Sequence, residues 1–342
     1  MKLNGLSVLH DISWPTPQAL EHGLLAWLES LPGPSWLTLT GRDPTRHRVV
    51  VTLLHGNEPS GLNAIWYLAG NKPDCAVTTH FCIANVDAAR NGQVFSTRHF
   101  EDKPDLNRCF GRTGDDESYQ LANEILARIQ TLQPEAVVDI HNTSGSSPSF
   151  SVAINDDEVH QAVAGLFTER MLCTSVRLGA LMEQSTPSCP IVTIECGGVM
   201  DESAVEVAKN GLHHFLTTDN PLVPGQAAWP LDMLYHPVRV RLNPGSQICY
   251  HDRRVDDADL TLPPDIERHN FGWMAAGSQI GWLGPKGLDT FAVTDGEGGH
   301  PVDSLFYEES GELRLKAASK LFMITSRPDI ALSDCLFYMV VD

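Results

Sequence analysis

The sequence predicts an α/β chain. A three-layer α/β/α domain on a mostly parallel or mixed sheet comes first, and a smaller β-rich domain follows. Three observations predict it. Apolar, β-branched runs alternate with helical patterns up to about residue 216. Several of those runs stop abruptly at polar residues that strand interiors avoid. Beyond about residue 222 the pattern changes to short alternating runs cut by Gly, Pro and Asp.

The elements follow in order. "HRVVVTLLHG" (47–56) reads as a buried strand, and "SGLNAIWYLAG" (60–70) as a short helix ending at a glycine. "VTTHFCIAN" (77–85) is a second strand, and "DESYQLANEILARIQTL" (116–132) has apolar residues at helical spacing. "EAVVDIHN" (135–142) and "SFSVAIN" (149–155) are strands, and "HQAVAGLFTERML" (160–172) is helical. "CPIVTIECGG" (189–198) is another buried strand, and "DESAVEVAKNGLHHFL" (201–216) a helix. Such alternation implies right-handed crossovers and a sheet covered on both faces. The turn-rich "TTDNPLVPGQAAWP" (217–230) sets a domain boundary near 222, giving domains 1–222 and 223–342. "HPVRVRLNPGSQICYH" and "GSQIGWLGPKGLDTFAVTDGEGG" then read as all-β.

Composition excludes some functions. The 342 residues carry 43 acidic against 24 basic side chains, a formal charge of −19. Phosphate binding needs concentrated Lys and Arg, so a nucleic-acid partner is not expected. None of the eight cysteines forms a Cys-x-x-Cys pair, and several sit in apolar runs. They read as free thiols in a reducing compartment. The N-terminus lacks a signal-peptide pattern, and no apolar run approaches the ~18 residues of a membrane span. The expected location is the cytoplasm, with no membrane partner; the sequence leaves room for a homo-oligomer.

Ligands of open α/β sheets gather at the carboxyl ends of the strands. Strand 47–54 delivers His55 and Glu58 there. Strand 135–140 delivers His141, and strand 189–194 delivers Glu195. Two imidazoles and one carboxylate make a catalytic zinc set, which keeps a position for water. A two-residue spacer lets His55 and Glu58 reach one ion, with Gly56 supplying loop freedom. A His-x-x-Glu alone also suits a loop histidine beside a glutamate at a helix start. Alternation places Asp139 on the face of His141, where it could orient the imidazole. Glu195 ends an otherwise uncharged strand, and burial raises a carboxyl's pKa toward that of a useful base. A carboxylate paired to Arg98 or Arg108 is the alternative reading.

In their order along the chain, "HGNE", "TRHF", "PDLNRCF", "DIHNTSG" and "TIECGG" resemble the aspartoacylase and succinylglutamate desuccinylase family, a branch of the zinc carboxypeptidase-like fold. "AAGSQIGWLGPKGLDTFAVTDGEGG" resembles the family's C-terminal β-domain, so the likeness covers most of the chain. The resemblance implies one zinc per chain held by His55, Glu58 and His141. It implies Glu195 as general acid/base and Arg98 as the group that holds the developing oxyanion. It implies Asn107 and Arg108 as the grip on a substrate carboxylate. The chain departs from the family in "RLGALMEQSTPSCPIVTIE", where leucine and serine stand for a substrate-holding tyrosine and arginine. Arg177 lies farther upstream, and Tyr307 is the nearest candidate for a tyrosine of the second domain. The expectation is a zinc-dependent amidohydrolase that removes an acyl group from a small N-acylated amino acid or related amine. A zinc carboxypeptidase acting on peptides and a non-catalytic zinc-binding homologue are the rivals.

Overall fold

The computed structural model describes residues 7–223 and 230–342. Residues 1–6 of the N-terminal stretch and 224–229 of the turn-rich segment lie outside the described residues. The chain divides into two compact units. The first holds 1–142, 149–171 and 177–233; the second holds 143–148, 172–176 and 234–342.

The first unit is built on a nine-stranded sheet. Its strands are β1 (His10–Asp11), β2 (Ser35–Leu39), β3 (Asp43–Thr52), β4 (Val77–Ile83), β5 (Ala136–Thr143), β6 (Phe150–Ala153), β7 (Arg170–Cys173), β8 (Ile191–Gly198) and β9 (Asp232–Tyr235). They lie in the order β1-β2-β4-β3-β5-β8-β6-β7-β9, with β7 and β9 straddling the division between units. Strand β3 pairs in parallel with both β4 and β5, while β2 with β4 and β6 with β8 are antiparallel. The helices are α1 (Pro17–His22), α2 (Leu24–Ser30), α3 (Ser60–Asn71), α4 (Val86–Arg90), α5 (Glu117–Leu132), α6 (Glu158–Ala164) and α7 (Glu202–Thr217).

Strand alternation sorts the core into two layers. Val50 and Val138 face one side, where they pack with Leu62 and Ile65 of α3 and Leu212 and Phe215 of α7. Val49, Val51 and Val137 face the other, against Leu121, Ile125 and Ile129 of α5. Helices therefore cover both faces of the sheet, the expected three layers. The same alternation carries Asp139, His141 and Glu195 toward the α5 side, since they share parity with Val137 and Ile191.

Three local expectations change. Helix α3 does not end at Gly70; it continues to Asn71, and Lys72 takes the left-handed conformation (φ 42°) that closes it. The helix expected over 160–172 is α6 alone, capped by Asp157, whose carboxylate accepts the N–H groups of Val159 and His160. After Gly165 the chain turns, with Leu166 and Phe167 packed on the core, and Met171 and Leu172 serve a strand instead, β7. The first unit also runs past residue 222 to Met233. Leu231 and Met233 pack on its core, and Asp232 N–H donates to Glu169 O, so β9 extends the sheet at its edge.

The second unit carries two sheets around a core of its own, in which Phe306 packs on Phe291 and Phe337. The segment 143–148 belongs to it: Ser146 N–H donates to Glu267, and Asn270 Nδ2 donates to Ser146 O. Tyr307 lies on one of its strands, Phe306–Glu309. Among the described residues no helix is long and apolar enough to cross a membrane, and all eight cysteines are free thiols.

Candidate metal centre

The loop after β3 turns at once, with Leu53 in the left-handed region (φ 53°). Gly56 follows, and its role differs from loop freedom. A Cβ there would lie 2.5 Å from Ala89 N and 2.7 Å from Thr97 O, so the loop packs where only glycine fits. The Gly56 N–H donates to Arg98 O at 2.8 Å, which fastens His55 and Glu58 to the loop bearing Arg98.

His55, Glu58 and His141 come together as buried side chains, each under 5% exposed: 3%, 4% and 3%. Their ligand atoms all lie within 4.8 Å of one another. Nδ1 of His55 is 2.8 Å from Oε1 of Glu58, and Nδ1 of His141 is 2.6 Å from Oε2. Each ring thus turns Nδ1 inward. Each also has its Nε2 held by a carboxylate: Asp105 at 3.0 Å for His55 and Asp139 at 2.8 Å for His141. An outer carboxylate fixes an imidazole's tautomer and rotation and raises its basicity, the usual support for a metal-binding histidine. Two imidazole nitrogens and a carboxylate, both rings braced, fit a divalent transition metal of zinc's type.

Electrostatics agree with the geometry. Burial alone would lower the pKa of both imidazoles; Glu58 and Asp105 outweigh it for His55, and Asp139 and Glu58 for His141, so both are raised. Burial would raise the Glu58 and Asp105 carboxyls, yet the facing histidines hold both far below the usual range. Glu195 goes the other way. Burial pushes its carboxyl up to about 7, against the pull of His141 and with the push of Glu58. Its Oε2 and the Oδ1 of Asp139 are buried with no hydrogen-bond partner among the described residues.

The remaining expected residues border this cluster. Arg98 donates from Nη1 to Glu58 at 3.0 Å, and its Nη2 lies 3.4 Å from Asp105. Buried Asn107 receives the Leu181 N–H on Oδ1 at 3.0 Å, and its Nδ2 lies 3.4 Å from Nε2 of His141. Arg108 donates to Asn107 O at 2.9 Å.

Two residues of the site escape a reading of strand ends. Asp105 sits in "PDLNRCF" beside the assigned Asn107 and receives its backbone N–H, an Asp-x-Asn turn whose signal is local rather than periodic. Asn142 follows His141. It donates from its backbone N–H to Glu58 and from Nδ2 to Ser60 Oγ and Gly197 O, tying β5, α3 and β8 together.

Comparison with known proteins completes the description. The model of one family, the succinylglutamate desuccinylase/aspartoacylase catalytic domain, matches residues 44–217. The succinylglutamate desuccinylase/aspartoacylase structure from Rhodobacter sphaeroides is 16% identical, with a TM-score of 0.56 over 89% of this chain and 87% of its own. The product-bound ectoine utilization protein EutE (DoeB) from Ruegeria pomeroyi is 17% identical, with a TM-score of 0.54 over 89% of this chain and 87% of its own. Succinylglutamate desuccinylase from Vibrio parahaemolyticus is 14% identical, with a TM-score of 0.55 over 93% of this chain and 94% of its own. At such identities these structures are similar in fold. No curated protein matches the chain.

Proposed function

The chain belongs to the succinylglutamate desuccinylase/aspartoacylase family, and from that premise we propose that it is a zinc-dependent amidohydrolase acting on a small N-acylated amino acid. One observation carries the reading. His55, Glu58 and His141 turn their ligand atoms inward, and Glu195 has a buried oxygen with no hydrogen-bond partner among the described residues and a carboxyl that burial pushes up to about 7. His55, Glu58 and His141 would hold a zinc ion, which would supply Lewis acidity and acidify water at neutral pH.

The chain's own residues supply the rest. Glu195, as carboxylate, takes the proton of the attacking water while a C–O bond forms at the acyl carbon. The same group then gives that proton to the amide nitrogen as the C–N bond breaks, leaving a carboxylic acid and an amine; the acid's remaining proton passes to the amine, giving carboxylate and ammonium. Arg98, anchored on Glu58 and Asp105, presents fixed positive charge toward the developing oxyanion. Asn107 and Arg108 hold a substrate carboxylate.

The departure before Glu195 bears on specificity. No Lys or Arg stands between Leu178 and Glu195. Leu181 is fully buried, and the Ser185 hydroxyl is engaged, 2.8 Å from Nε2 of His160 and accepting the Ile191 N–H. A second substrate carboxylate finds no cation in this segment, and leaving one buried and unpaired is costly. The favoured substrate therefore carries a single carboxylate. The test is a hydrolysis screen of N-acetyl, N-formyl and N-succinyl amino acids with zinc-loaded protein. Turnover of monocarboxylate substrates supports the reading. Full zinc occupancy with no turnover of any of them overturns it.

A further inference from the structure

The segment that lacks the expected cation is held in shape by a carboxylate of its own. Glu183 turns back on the residues before it and accepts three consecutive backbone N–H groups. Leu178 donates at 2.6 Å, Gly179 at 3.0 and 3.1 Å to its two oxygens, and Ala180 at 3.1 Å. Successive N–H groups converging on one anion form a concavity that a carboxylate fills well. The folded segment then docks on the loop bearing Asn107 and Arg108. Phe110 N–H donates to Gly179 O at 3.0 Å. The contact is close enough that a Cβ on Gly179, whose φ is +91°, would meet Arg108 O at 2.3 Å.

The last link is the Leu181 N–H, which donates to Oδ1 of Asn107 at 3.0 Å. Only the oxygen of an amide can accept that bond, so it decides which way round the amide sits. Nδ2 is thereby turned toward the outer edge of the His141 ring, 3.4 Å from the Nε2 that Asp139 braces. Resting on the proposed deacylase reading, we propose that Glu183 is a positioning residue for substrate recognition. It shapes residues 178–181 so that the Leu181 N–H and the Gly179 carbonyl fix the Asn107 amide and the loop that presents Asn107 and Arg108 to the substrate carboxylate.

Glu183→Gln tests this without changing size. All three N–H groups reach Oε1, so an amide keeps an oxygen there but loses the charge and turns its NH₂ toward the Gly179 N–H that Oε2 accepts. The assay compares an N-acyl amino acid with its carboxamide counterpart, in wild type and variant, with zinc content measured in both. Wild type should prefer the carboxylate. In E183Q that preference in kcat/KM should fall about 10-fold, the worth of one charge-assisted hydrogen bond. The loss should fall mainly on KM of the carboxylate substrate, with zinc content unchanged. A purely structural role would slow both substrates alike and keep the preference; that result overturns the proposal. Should E183Q not fold, Glu183→Asp decides. It keeps the charge but shortens the reach, so a partial loss of preference is expected and an unchanged preference overturns the proposal. A wild type that turns over both substrates without preference overturns this inference and leaves the hydrolytic reading standing. A wild type that hydrolyses neither overturns both.

Discussion

Strands β3 and β5 carry buried charge at both of their ends, and the two ends follow opposite rules. Toward the amino ends, where β3 begins to pair with β5 at Ala136, Arg48 is fully buried. Its Nε donates to Glu135 at 2.6 Å, and its two Nη atoms donate to the carbonyls of Phe215 and Asp219. Arg46 takes the other oxygen of Glu135 at 2.6 Å. Each group there finds its complement within the chain. At the carboxyl ends the carboxylates of Glu58, Asp105, Asp139 and Glu195 crowd around two imidazoles and the Arg98 guanidinium, and among the described residues two of their buried oxygens have no hydrogen-bond partner. Burying an unpaired charge is expensive, so a group of this kind persists where chemistry needs it. On the proposed function, the difference separates charge that holds the fold from charge available to a ligand.

The largest effect should come from the reserved end. Purified protein should carry about one zinc per chain, the stoichiometry of a catalytic site. His55→Ala or His141→Ala should lose the metal and bring turnover to background. Elemental analysis decides: full zinc in both variants would mean that the ligands are elsewhere.

Glu195→Gln comes next. It should leave zinc content and melting temperature nearly unchanged while the rate falls by roughly 10²–10⁴. Wild-type kcat/KM should fall in acid as Glu195 gains its proton. The midpoint should lie at or below about 7, because a bound cation stabilises the carboxylate. Retention of that acid limb in the glutamine variant would move the base to another residue.

The complementary experiment strikes the amino ends. Arg48→Met leaves Glu135 without its buried partner and should cost about 3–5 kcal/mol of stability. Denaturant unfolding should show a lower midpoint, with zinc per chain and kcat of the folded protein unchanged. A variant that loses zinc without losing stability would erase the distinction between the two ends.

The smallest effect concerns substrate charge. N-acetylaspartate should be hydrolysed no better than N-acetyl amino acids with neutral side chains. Arg108→Ala should penalise carboxylate substrates more than their amides. A ~100-fold preference for N-acetylaspartate, about 2.7 kcal/mol of transition-state binding, would reveal a cation that replaces the missing arginine.

Much of this layout is legible in the sequence for a physical reason. Strand alternation is strict, so a polar residue breaking an apolar run marks both a strand end and a face. His55, His141, Glu195 and the Asp139–His141 contact are readable that way. Asp105 is not, because it acts from a turn, where no periodicity speaks. Leu166, Phe167, Met171 and Leu172 satisfy a helical pattern as well as a bend into β7, and periodicity alone does not choose between them. The Glu183 contacts also lie beyond sequence reading, since three N–H groups converging on one carboxylate depend on backbone shape alone.

The two units interleave along the chain, and this limits how the protein can be taken apart. Residues 143–148 belong to the second unit, though they lie deep within the sequence of the first. They begin immediately after Asn142, one residue beyond His141. A gene truncated near residue 222 would keep every candidate catalytic side chain. It would also strip residues 143–148 of Glu267 and Asn270, loosening the end of the strand that carries His141. The second unit is thus no detachable cassette. Recombination at the apparent linker would cut the chain once, whereas the fold is joined there and at both ends of each excursion.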